Sequence, residues 1–427
     1  MIFKVEDIDQ FKRQALKWAS EFAVCGYLDS NNYHNAYSKF DALLAVGVKA
    51  EIEASAGHAF EALEAFRQEH HGWMIGFFGY DLKNELEQTQ SNNVDGLNFP
   101  DLYFFVPQYL IIMKGNDVDI IADNAEAIYQ AINQQRSLER QTTLEIKLQS
   151  RFSKQEYVDT FNQIKQHIAR GDIYVTNFCQ EFFAEDTIID PLSVFMELNS
   201  ISPTPFASFF KYREHYILCA SPERFLAKRG NKLISQPIKG TARRGATSAE
   251  DEVIKQDLRI NVKEQQENVM IVDLVRNDLT KSAKLGTVKT EELFGIYTFE
   301  QVHQMISTVT CEVEEGLSSV TAIRNTFPMG SMTGAPKLSA MQLIERYERT
   351  RRGVYSGALG YFSPDNEFDF NVVIRTILYN ASNGYLSFQV GSAITFDAVA
   401  EQEYAECLLK AQAILQVLGA KIEYTES

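Results

Sequence analysis

Residues 232–245 have the sequence KLISQPIKGTARRG, and the interpretation of the whole chain starts from this stretch. A strand-like alternating run leads into Pro237-Ile238-Lys239-Gly240-Thr241, which places one lysine between an apolar residue and a glycine. A lysine held in an apolar place loses hydration, so its pKa falls and the neutral amine becomes a nucleophile. The alternative is a structural lysine whose stem packs while its head reaches water. The segment alone leaves both interpretations open.

Alternating runs and helical patterns recur on both sides of this segment. Ser153 is expected to open a helix that continues through Ala169, because apolar residues follow it at helical spacing. Further helices are predicted at 262–278, 317–325, 336–347 and 401–418, and strands at 173–183, 206–210, 216–219, 224–227, 233–238, 302–313, 357–362, 372–379 and 385–394. The absence of a regular βαβ alternation favours an α+β fold of antiparallel sheets flanked by helices. Without a linker, residues 1–150 and 151–420 are expected to form two interlocked lobes of one unit.

Composition excludes several classes of protein. The 427 residues carry a net charge of −16, which argues against a nucleic-acid-binding surface. Five cysteines, an odd number and far apart, indicate reduced thiols in a cytosolic protein and show no zinc-ligand spacing. The N-terminal segment lacks the apolar region of a signal peptide, and no apolar run approaches about 18 residues. We therefore expect a cytoplasmic protein with no membrane span.

Two predicted helices each carry a Glu-x-x-Glu motif, Glu264 with Glu267 and Glu403 with Glu406. A spacing of three places both carboxylates on one helical face, where they repel unless a cation or solvent relieves the repulsion. Lys410 lies four residues after Glu406 on the same face. Carboxylates suit Mg²⁺, which takes one or two of them and completes its shell with water and substrate oxygens. A solvated helix face with ordinary glutamates is the alternative.

Three further segments carry candidate binding groups. Glu223, in a strand-like setting, is a candidate acid with a raised pKa or a salt-bridge partner. Arg375 stands among apolar residues in NVVIRTI and needs an anionic partner or access to a cleft. The glycine-rich segments 327–337 and 391–393 offer backbone N–H groups that could hold an anion, although each is also typical of a simple turn.

The order of the segments resembles that of the chorismate-utilising enzymes, among them component I of anthranilate synthase, component I of aminodeoxychorismate synthase, isochorismate synthase and salicylate synthase. The resemblance is dense from about 153 to 418 and thins over 1–150. The matching segments are SPERF (221–225), PIKGT (237–241), EQQENVMIVDLVRNDL (264–279), STVT (307–310), GSMTGAPK (330–337), RRGVYSGALGY (351–361), FNVVIRT (370–376) and EYAECLLKA (403–411).

Two positions favour one branch of this family. Members that make anthranilate, isochorismate or salicylate have alanine where Lys239 stands, and aminodeoxychorismate synthases typically have the lysine. Val175 occupies the place of the lysine that activates water in isochorismate and salicylate synthases. The resemblance therefore implies a transaminase-class amination of chorismate at C4 to 4-amino-4-deoxychorismate, on the route to 4-aminobenzoate and folate. The alternatives are anthranilate synthase component I or another chorismate-converting enzyme and, more remotely, a non-catalytic regulatory relative.

The resemblance also implies a role for each matched residue. Lys239 would attack C2 of chorismate to give a covalent intermediate, and Glu223 would assist departure of the C4 hydroxyl. Mg²⁺ would be held by Glu267 and Glu406, with Glu264 and Glu403 as outer carboxylates. The groups matching those that hold the substrate are Gly240, Thr241, Tyr355, Arg375, Lys410 and the backbone of Gly391 and Ser392. Because no G-x-C-x-G nucleophile elbow occurs, ammonia would come from a separate glutamine amidotransferase subunit.

The chain departs from the family at two places that matter. Gln304 stands where relatives often have histidine, and His303, one residue earlier in a strand, faces the opposite side. This puts any acid role of that histidine in doubt, and it is the one feature that favours a non-catalytic relative. The family's Leu-Glu-Ser, part of a tryptophan pocket, is replaced by Leu28-Asp29-Ser30, so tryptophan binding is not carried over to this chain.

Overall fold

A computed structural model describes residues 1–87, 89–136 and 145–423 of the chain. The helix predicted to open at Ser153 is present: Ser153 caps the helix 154–170 and forms a capping box with Glu156, and Gly171 ends it in a left-handed conformation. The helices of the described residues are α1 (Ile8–Ser20), α2 (Ala59–Glu69), α3 (Lys83–Glu87), α4 (Ala125–Asn133), α5 (Lys154–Arg170), α6 (Pro191–Ile201), α7 (Ser248–Ile260), α8 (Val262–Thr280), α9 (Ser319–Thr326), α10 (Lys337–Tyr347) and α11 (Ala400–Val417).

The strands join into one connected network of sheet, and within the described ranges only the pair formed by the strands 147–150 and 421–423 is parallel. They are β1 (Ile2–Lys4), β2 (Val24–Asp29), β3 (Ala42–Ala54), β4 (Met74–Phe78), β5 (Leu102–Lys114), β6 (Asp117–Ile121), β7 (Lys147–Ser150), β8 (Val175–Ala184), β9 (Phe206–Tyr212), β10 (His215–Ser221), β11 (Arg224–Arg229), β12 (Lys232–Gln236), β13 (Ile238–Arg243), β14 (Lys289–Thr298), β15 (Val302–Glu312), β16 (Gly334–Ala335), β17 (Ala358–Phe362), β18 (Phe368–Asn371), β19 (Thr376–Asn380), β20 (Tyr385–Ile394) and β21 (Lys421–Glu423). The predicted α+β fold with antiparallel sheets is confirmed.

The N-terminal strands pair directly with strands of the C-terminal part. β2 lies between β3 and β9, and β4 lies between β5 and β17. Two hydrophobic cores flank this network, and each draws residues from both parts of the chain. The first packs α1, α4, α5, α6 and α11 against the sheet, whereas the second packs α2, α8 and α9. The division of the chain near residue 150 stays a prediction.

Two predicted strands are wrong in their extent. The strand expected at 372–379 is interrupted, because β18 ends at Asn371 and β19 begins at Thr376, with Arg375 between them in a left-handed conformation, φ 52°. The strand expected at 233–238 breaks at Pro237, which has no N–H to donate to a ladder. Alternation of apolar residues shows neither break, since apolar residues continue on both sides of each one. Both breaks lie in the candidate site.

Among the described residues, no helix is long and apolar enough to cross a membrane.

Candidate active site

Lys239 lies in a β-bulge between β13 and β15. Ile238 pairs with Ile306 and Thr241 with Gln304, so β13 has one more residue than its partner between these pairs. Gly240 adopts φ +96°, and a Cβ there would stand 3.2 Å from both the Glu264 carboxylate and the Met305 side chain. The glycine of PIKGT is therefore needed for its conformation and for the close approach of α8.

The Lys239 side chain is half-buried and makes no hydrogen bond or ion pair with any residue in the described part of the chain. Its positive charge reaches Glu223, Glu264 and Glu406 and favours the charged form of each, although burial outweighs this at Glu223 and Glu264, whose pKa values are raised. The bulge thus brings the lysine between the predicted acid and both Glu-x-x-Glu motifs. A primary amine without a fixed partner, next to a buried carboxyl group, is free to react with a bound molecule.

Glu223 lies in the tight connection between β10 and β11, with its side chain buried. Its backbone is fixed on both sides, because its N–H donates to Ser221 Oγ (3.2 Å) and its carbonyl accepts from the Val372 N–H (3.0 Å). Burial raises the pKa of Glu223 to about 7, although the nearby Ser331 hydroxyl and the charges of Lys239 and Arg375 act in the opposite direction. A carboxyl group with this pKa can donate a proton near neutral pH.

A cavity of about 340 Å³ adjoins Glu223. Its wall is mostly apolar, with Val275 and Leu279 from α8 and Met329 from the segment after α9, and the Ser331 hydroxyl also lines it. This Ser331 oxygen is buried and makes no hydrogen bond within the described ranges. The low polarity of this wall explains why the charged form of Glu223 is disfavoured.

Arg375 lies close enough to Tyr355 and Glu223 for both to act on its charge. The left-handed backbone of Arg375 is held by its carbonyl, which accepts from the Ala220 N–H (3.1 Å), and its guanidinium has no hydrogen-bonded partner among the described residues. Burial lowers the pKa of Arg375, while Tyr355, Glu223 and Glu406 act to raise it. Because an unpaired guanidinium here is stabilised by an incoming anion, the arrangement suits a carboxylate ligand.

Both Glu-x-x-Glu motifs occupy the N-terminal turns of their helices, where the helix dipole favours negative charge. Burial, together with the charges of Glu267 and Glu406, raises the pKa of Glu264, so the two motifs face the same space. Burial and the charge of Glu406 likewise raise the pKa of Glu403. Burial acts to raise the pKa of Glu406 as well. The ion pair between Glu406 and Lys410 (2.7 Å) outweighs this effect, so the pKa of Glu406 lies below its ordinary value.

The four carboxylates do not form a ready-made cage for a metal ion. Within the described ranges, no group of three or more Asp, Glu, His or Cys side chains is arranged to hold one. Lys263 lies 3.9 Å from Glu267, and Lys410 is bonded to Glu406, so a cation neighbours each helix. The donor set of hard oxygens on two facing helices fits an ion that takes only one or two protein ligands, as Mg²⁺ does.

Gly391 and Ser392, whose backbone groups are predicted to bind the substrate, lie near the end of β20. A Cβ at Gly391 would stand 2.4 Å from Cys179 Sγ and 2.6 Å from Asn177 Oδ1, so only glycine fits there. Lys410 donates to the Gly391 carbonyl (3.0 Å), which links α11 to this strand. Ser392 is buried, and its hydroxyl lies 3.3 Å from that of Tyr157.

Thr241, Gln304 and His303 lie on the paired strands β13 and β15. Thr241 is exposed and lies opposite Gln304, whose buried Oε1 has no hydrogen-bond partner among the described residues. His303 is engaged elsewhere, with Nε2 2.8 Å from Asp251 Oδ1 and Nδ1 3.0 Å from Thr298 Oγ1. It therefore cannot take the place of the histidine that Gln304 replaces.

Sequence reasoning missed three residues of this region. Lys263 could have been found from its spacing of four to Glu267. Ser331 lies in the segment GSMTGAPK (330–337), but its proximity to Glu223 is a long-range contact that no sequence pattern shows. Tyr157 fits the apolar spacing of α5, and nothing in the sequence shows that its hydroxyl does more than accompany a packing ring.

A second cavity, of about 500 Å³, lies at the predicted Leu28-Asp29-Ser30 segment. Asp29 is paired with Lys12 (2.9 Å) and accepts from the Tyr27 hydroxyl (2.6 Å). Its carboxylate is therefore already neutralised from within the fold. This cavity is separate from the one beside Glu223, although Arg224 lines both.

Comparison with known proteins places these residues in a family. A family model for chorismate binding enzymes matches residues 24–416. Aminodeoxychorismate synthase component 1 of Bacillus subtilis (strain 168) is 31% identical over 397 residues, covering 88% of this chain and 81% of that protein. The protein of the same name from Escherichia coli (strain K12) is 34% identical over 351 residues, covering 81% and 77%. The crystal structure of anthranilate synthase component I from Streptococcus pneumoniae superimposes with a TM-score of 0.76 at 25% identity, covering 89% of this chain and 93% of that one.

Proposed function

Because the chain belongs to the chorismate-binding enzymes, we propose that it is an aminodeoxychorismate synthase component I, which aminates chorismate at C4 with ammonia. One observation carries the proposal: Lys239 lies unpaired in a bulge beside the buried carboxyl group of Glu223. The relatives named aminodeoxychorismate synthase component 1 support the same branch. The product, 4-amino-4-deoxychorismate, would lead to 4-aminobenzoate and folate.

The proposed reaction has two displacements. Lys239 attacks C2 of the ring through its unprotonated amine, both ring double bonds shift, and the C4–oxygen bond breaks. Glu223 gives its proton to the departing oxygen, which leaves as water, and the secondary ammonium formed on C2 returns a proton to the Glu223 carboxylate. Ammonia then attacks C4, both double bonds shift back, and the C2–nitrogen bond breaks, while the proton given up by the incoming ammonium passes to the nitrogen of Lys239 so that it leaves as a neutral amine. Glu223 suits the first step because its pKa, raised to about 7, leaves a large fraction of it protonated near neutral pH.

Chorismate has two carboxylates, and this chain carries a net negative charge. Binding the substrate therefore requires cationic side chains and hydrogen-bond donors fixed in the site. Arg375 has no partner within the described part of the chain and lies near Tyr355, so we assign one carboxylate to this pair. Lys410, tied to the Gly391 carbonyl, places a second cation beside the end of β20, where the backbone of Gly391 and Ser392 could donate. The bulge would keep Gly240 and Thr241 next to the ring of bound chorismate. These contacts would orient C2 toward Lys239.

The oxygen donors of the two facing helices fit Mg²⁺ in chemistry and in number. Glu267 and Glu406 would hold the ion, and Glu264 and Glu403 would orient it and its water. When bound, Mg²⁺ would neutralise the ring carboxylate and stabilise charge during the displacement. An ammonia source is also needed, and we propose a separate glutamine amidotransferase subunit in the cytoplasm, because relatives carry the name component 1.

The first experiment incubates the pure chain with chorismate, Mg²⁺ and an ammonium salt at mildly alkaline pH and identifies products by mass spectrometry. Aminodeoxychorismate, converted to 4-aminobenzoate by an added lyase, is the expected product. Anthranilate would instead place the chain with the similar anthranilate synthases and overturn the role of Lys239. If no product forms, the assay is repeated with an amidotransferase partner and glutamine, and continued inactivity identifies a non-catalytic relative.

The metal assignment has its own test. Glu406→Ala should weaken the Mg²⁺ dependence of the rate by at least about tenfold, because a carboxylate at the ion is lost. Glu401→Ala is the matched control, since Glu401 is an exposed carboxylate in the first turn of the same helix. An unchanged Mg²⁺ response in Glu406→Ala would remove Glu406 as a ligand.

A further inference from the structure

Tyr157, on α5, has a wholly buried side chain and takes no part in the mechanism described above. Its hydroxyl lies 3.3 Å from Ser392 Oγ and 3.8 Å from Cys407 Sγ. The ring packs against Tyr404 at 5.1 Å and against Phe178 at 5.3 Å, measured between ring centres. Phenylalanine would provide the same packing, and burying a hydroxyl without a hydrogen bond is costly. The hydroxyl group itself therefore needs an explanation.

The two neighbours of this hydroxyl, Ser392 and Cys407, lie in or next to the segments proposed to bind substrate and metal. Ser392 lies two residues before the end of β20, where substrate donors are proposed, and Cys407 follows Glu406 directly on α11. Glu403, one turn before Cys407, is buried, and the Ser392 hydroxyl favours its charged form. The charge of Glu403 in turn acts on Tyr157. Three elements, α5, β20 and α11, thus meet around one phenol oxygen.

We propose that Tyr157 is a positioning residue whose hydroxyl holds Ser392 in place and, through Ser392, orients the buried carboxylate of Glu403 at the metal-binding end of the site. This inference rests on the proposed function for the identity of the ion. Residues of this kind fix the rotamer of a ligand-bearing side chain, and removing one weakens metal affinity without touching the metal. Tyr157 is suited to this role because its buried ring packs against Phe161, Phe178 and Tyr404.

The test is Tyr157→Phe, which keeps the ring and removes only the oxygen. Calorimetric titration of the substrate-free protein with Mg²⁺ should show a dissociation constant raised about tenfold. The KM for chorismate should rise as well, with a smaller change in kcat, because Ser392 lies where the substrate is held. Tyr379→Phe is the matched control: it also loses a buried hydroxyl bond, to the Thr187 carbonyl (2.9 Å), but Tyr379 lies away from the site.

A double-mutant cycle with Ser392→Ala then decides whether Tyr157 acts through Ser392. The two substitutions together should raise the Mg²⁺ dissociation constant no more than the larger single effect. The proposal is overturned if Tyr157→Phe leaves Mg²⁺ affinity at the wild-type value, if Tyr379→Phe weakens it equally, or if the two effects add. The product assay judges the proposed function separately, since Mg²⁺ affinity is measured here without chorismate. A wild-type chain that binds no Mg²⁺ would overturn this proposal whatever product it makes.

Discussion

Two carboxyl groups in the C-terminal part of the chain are equally buried, each with 5% of its surface exposed, and they have opposite surroundings. Glu348 accepts from Arg352 through both oxygens (2.6 and 2.9 Å) and from the Cys179 N–H (2.8 Å). Glu223 has no cation in direct contact within the described ranges, and a mostly apolar cavity adjoins it. Burial acts to raise the pKa of both groups.

The difference separates a structural carboxylate from a reactive one. Arg352 also donates to the Met332 carbonyl (2.6 Å) and to the Asn177 carbonyl (2.9 Å), so its ion pair joins three chain segments around the site. A buried charge pair that is fully hydrogen-bonded holds a frame in place. Glu223 lacks such partners and therefore keeps a proton that it can give away.

The largest expected effect is the loss of the nucleophile. Lys239→Ala should lower the rate of ammonia-dependent amination by at least about 10⁴-fold, because the covalent step loses its nucleophile. Its melting temperature should match that of the wild type, since Lys239 has no fixed partner in the described part of the chain. Lys228→Ala, at a half-buried lysine on β11, serves as the control. Near-normal turnover of Lys239→Ala would end the covalent mechanism.

Substituting the two glutamates tests the comparison directly. Glu223→Gln should lower kcat by about 10³-fold without loss of stability, because the amide keeps the shape but cannot donate a proton in the same way. Glu348→Gln should instead lower the melting temperature, since it leaves Arg352 with a neutral partner. Steady-state kinetics and thermal unfolding are measured on both variants. If Glu223→Gln also melted early, Glu223 would be a structural residue like Glu348.

Removing the cation of the structural pair comes next. Arg352→Met should lower the free energy of unfolding by about 4 kcal/mol, because Glu348 then remains as an unpaired buried charge. Urea unfolding measures this value. The double variant Arg352→Met with Glu348→Leu should recover much of the loss, since an apolar pair of similar volume is often tolerated. A loss below about 1 kcal/mol in the single variant would show that the pair is dispensable.

The smallest effect is a pH dependence of stability. Burial raises the pKa of Glu223 from 4.5 to about 7, so the folded protein binds this proton more tightly than the unfolded chain. The stabilisation from this proton is fully present below about pH 4.5 and is lost as pH rises through about 7. Relative to Glu223→Gln, the wild type should lose up to about 3 kcal/mol between pH 4 and pH 8. A pH-independent difference between the two would contradict the raised pKa.

The sequence predicts some features of the site well and others not at all. Ser153 marks the start of α5, and the carboxylate spacing identifies α8 and α11, because these signals are local. The interruption at Arg375 is hidden, since its apolar neighbours continue the pattern of a strand while the backbone turns left-handed. The contrast between Glu223 and Glu348 is visible only in part: Arg352 follows Glu348 by four residues, but the Cys179 N–H on Glu348 and the cavity beside Glu223 come from distant segments.

The pairing of β4 with β17 has a consequence for how the protein is made. During translation β4 and β5 leave the ribosome early, but the other edge of β4 must wait until Ala358–Phe362 has been synthesised. At ordinary elongation rates this interval lasts roughly tens of seconds. Throughout that time the nascent chain carries an open, wholly apolar strand edge, which is a template for association with other chains. Production of this protein should therefore depend on chaperone capacity and on synthesis rate more than its finished, fully paired sheet would suggest.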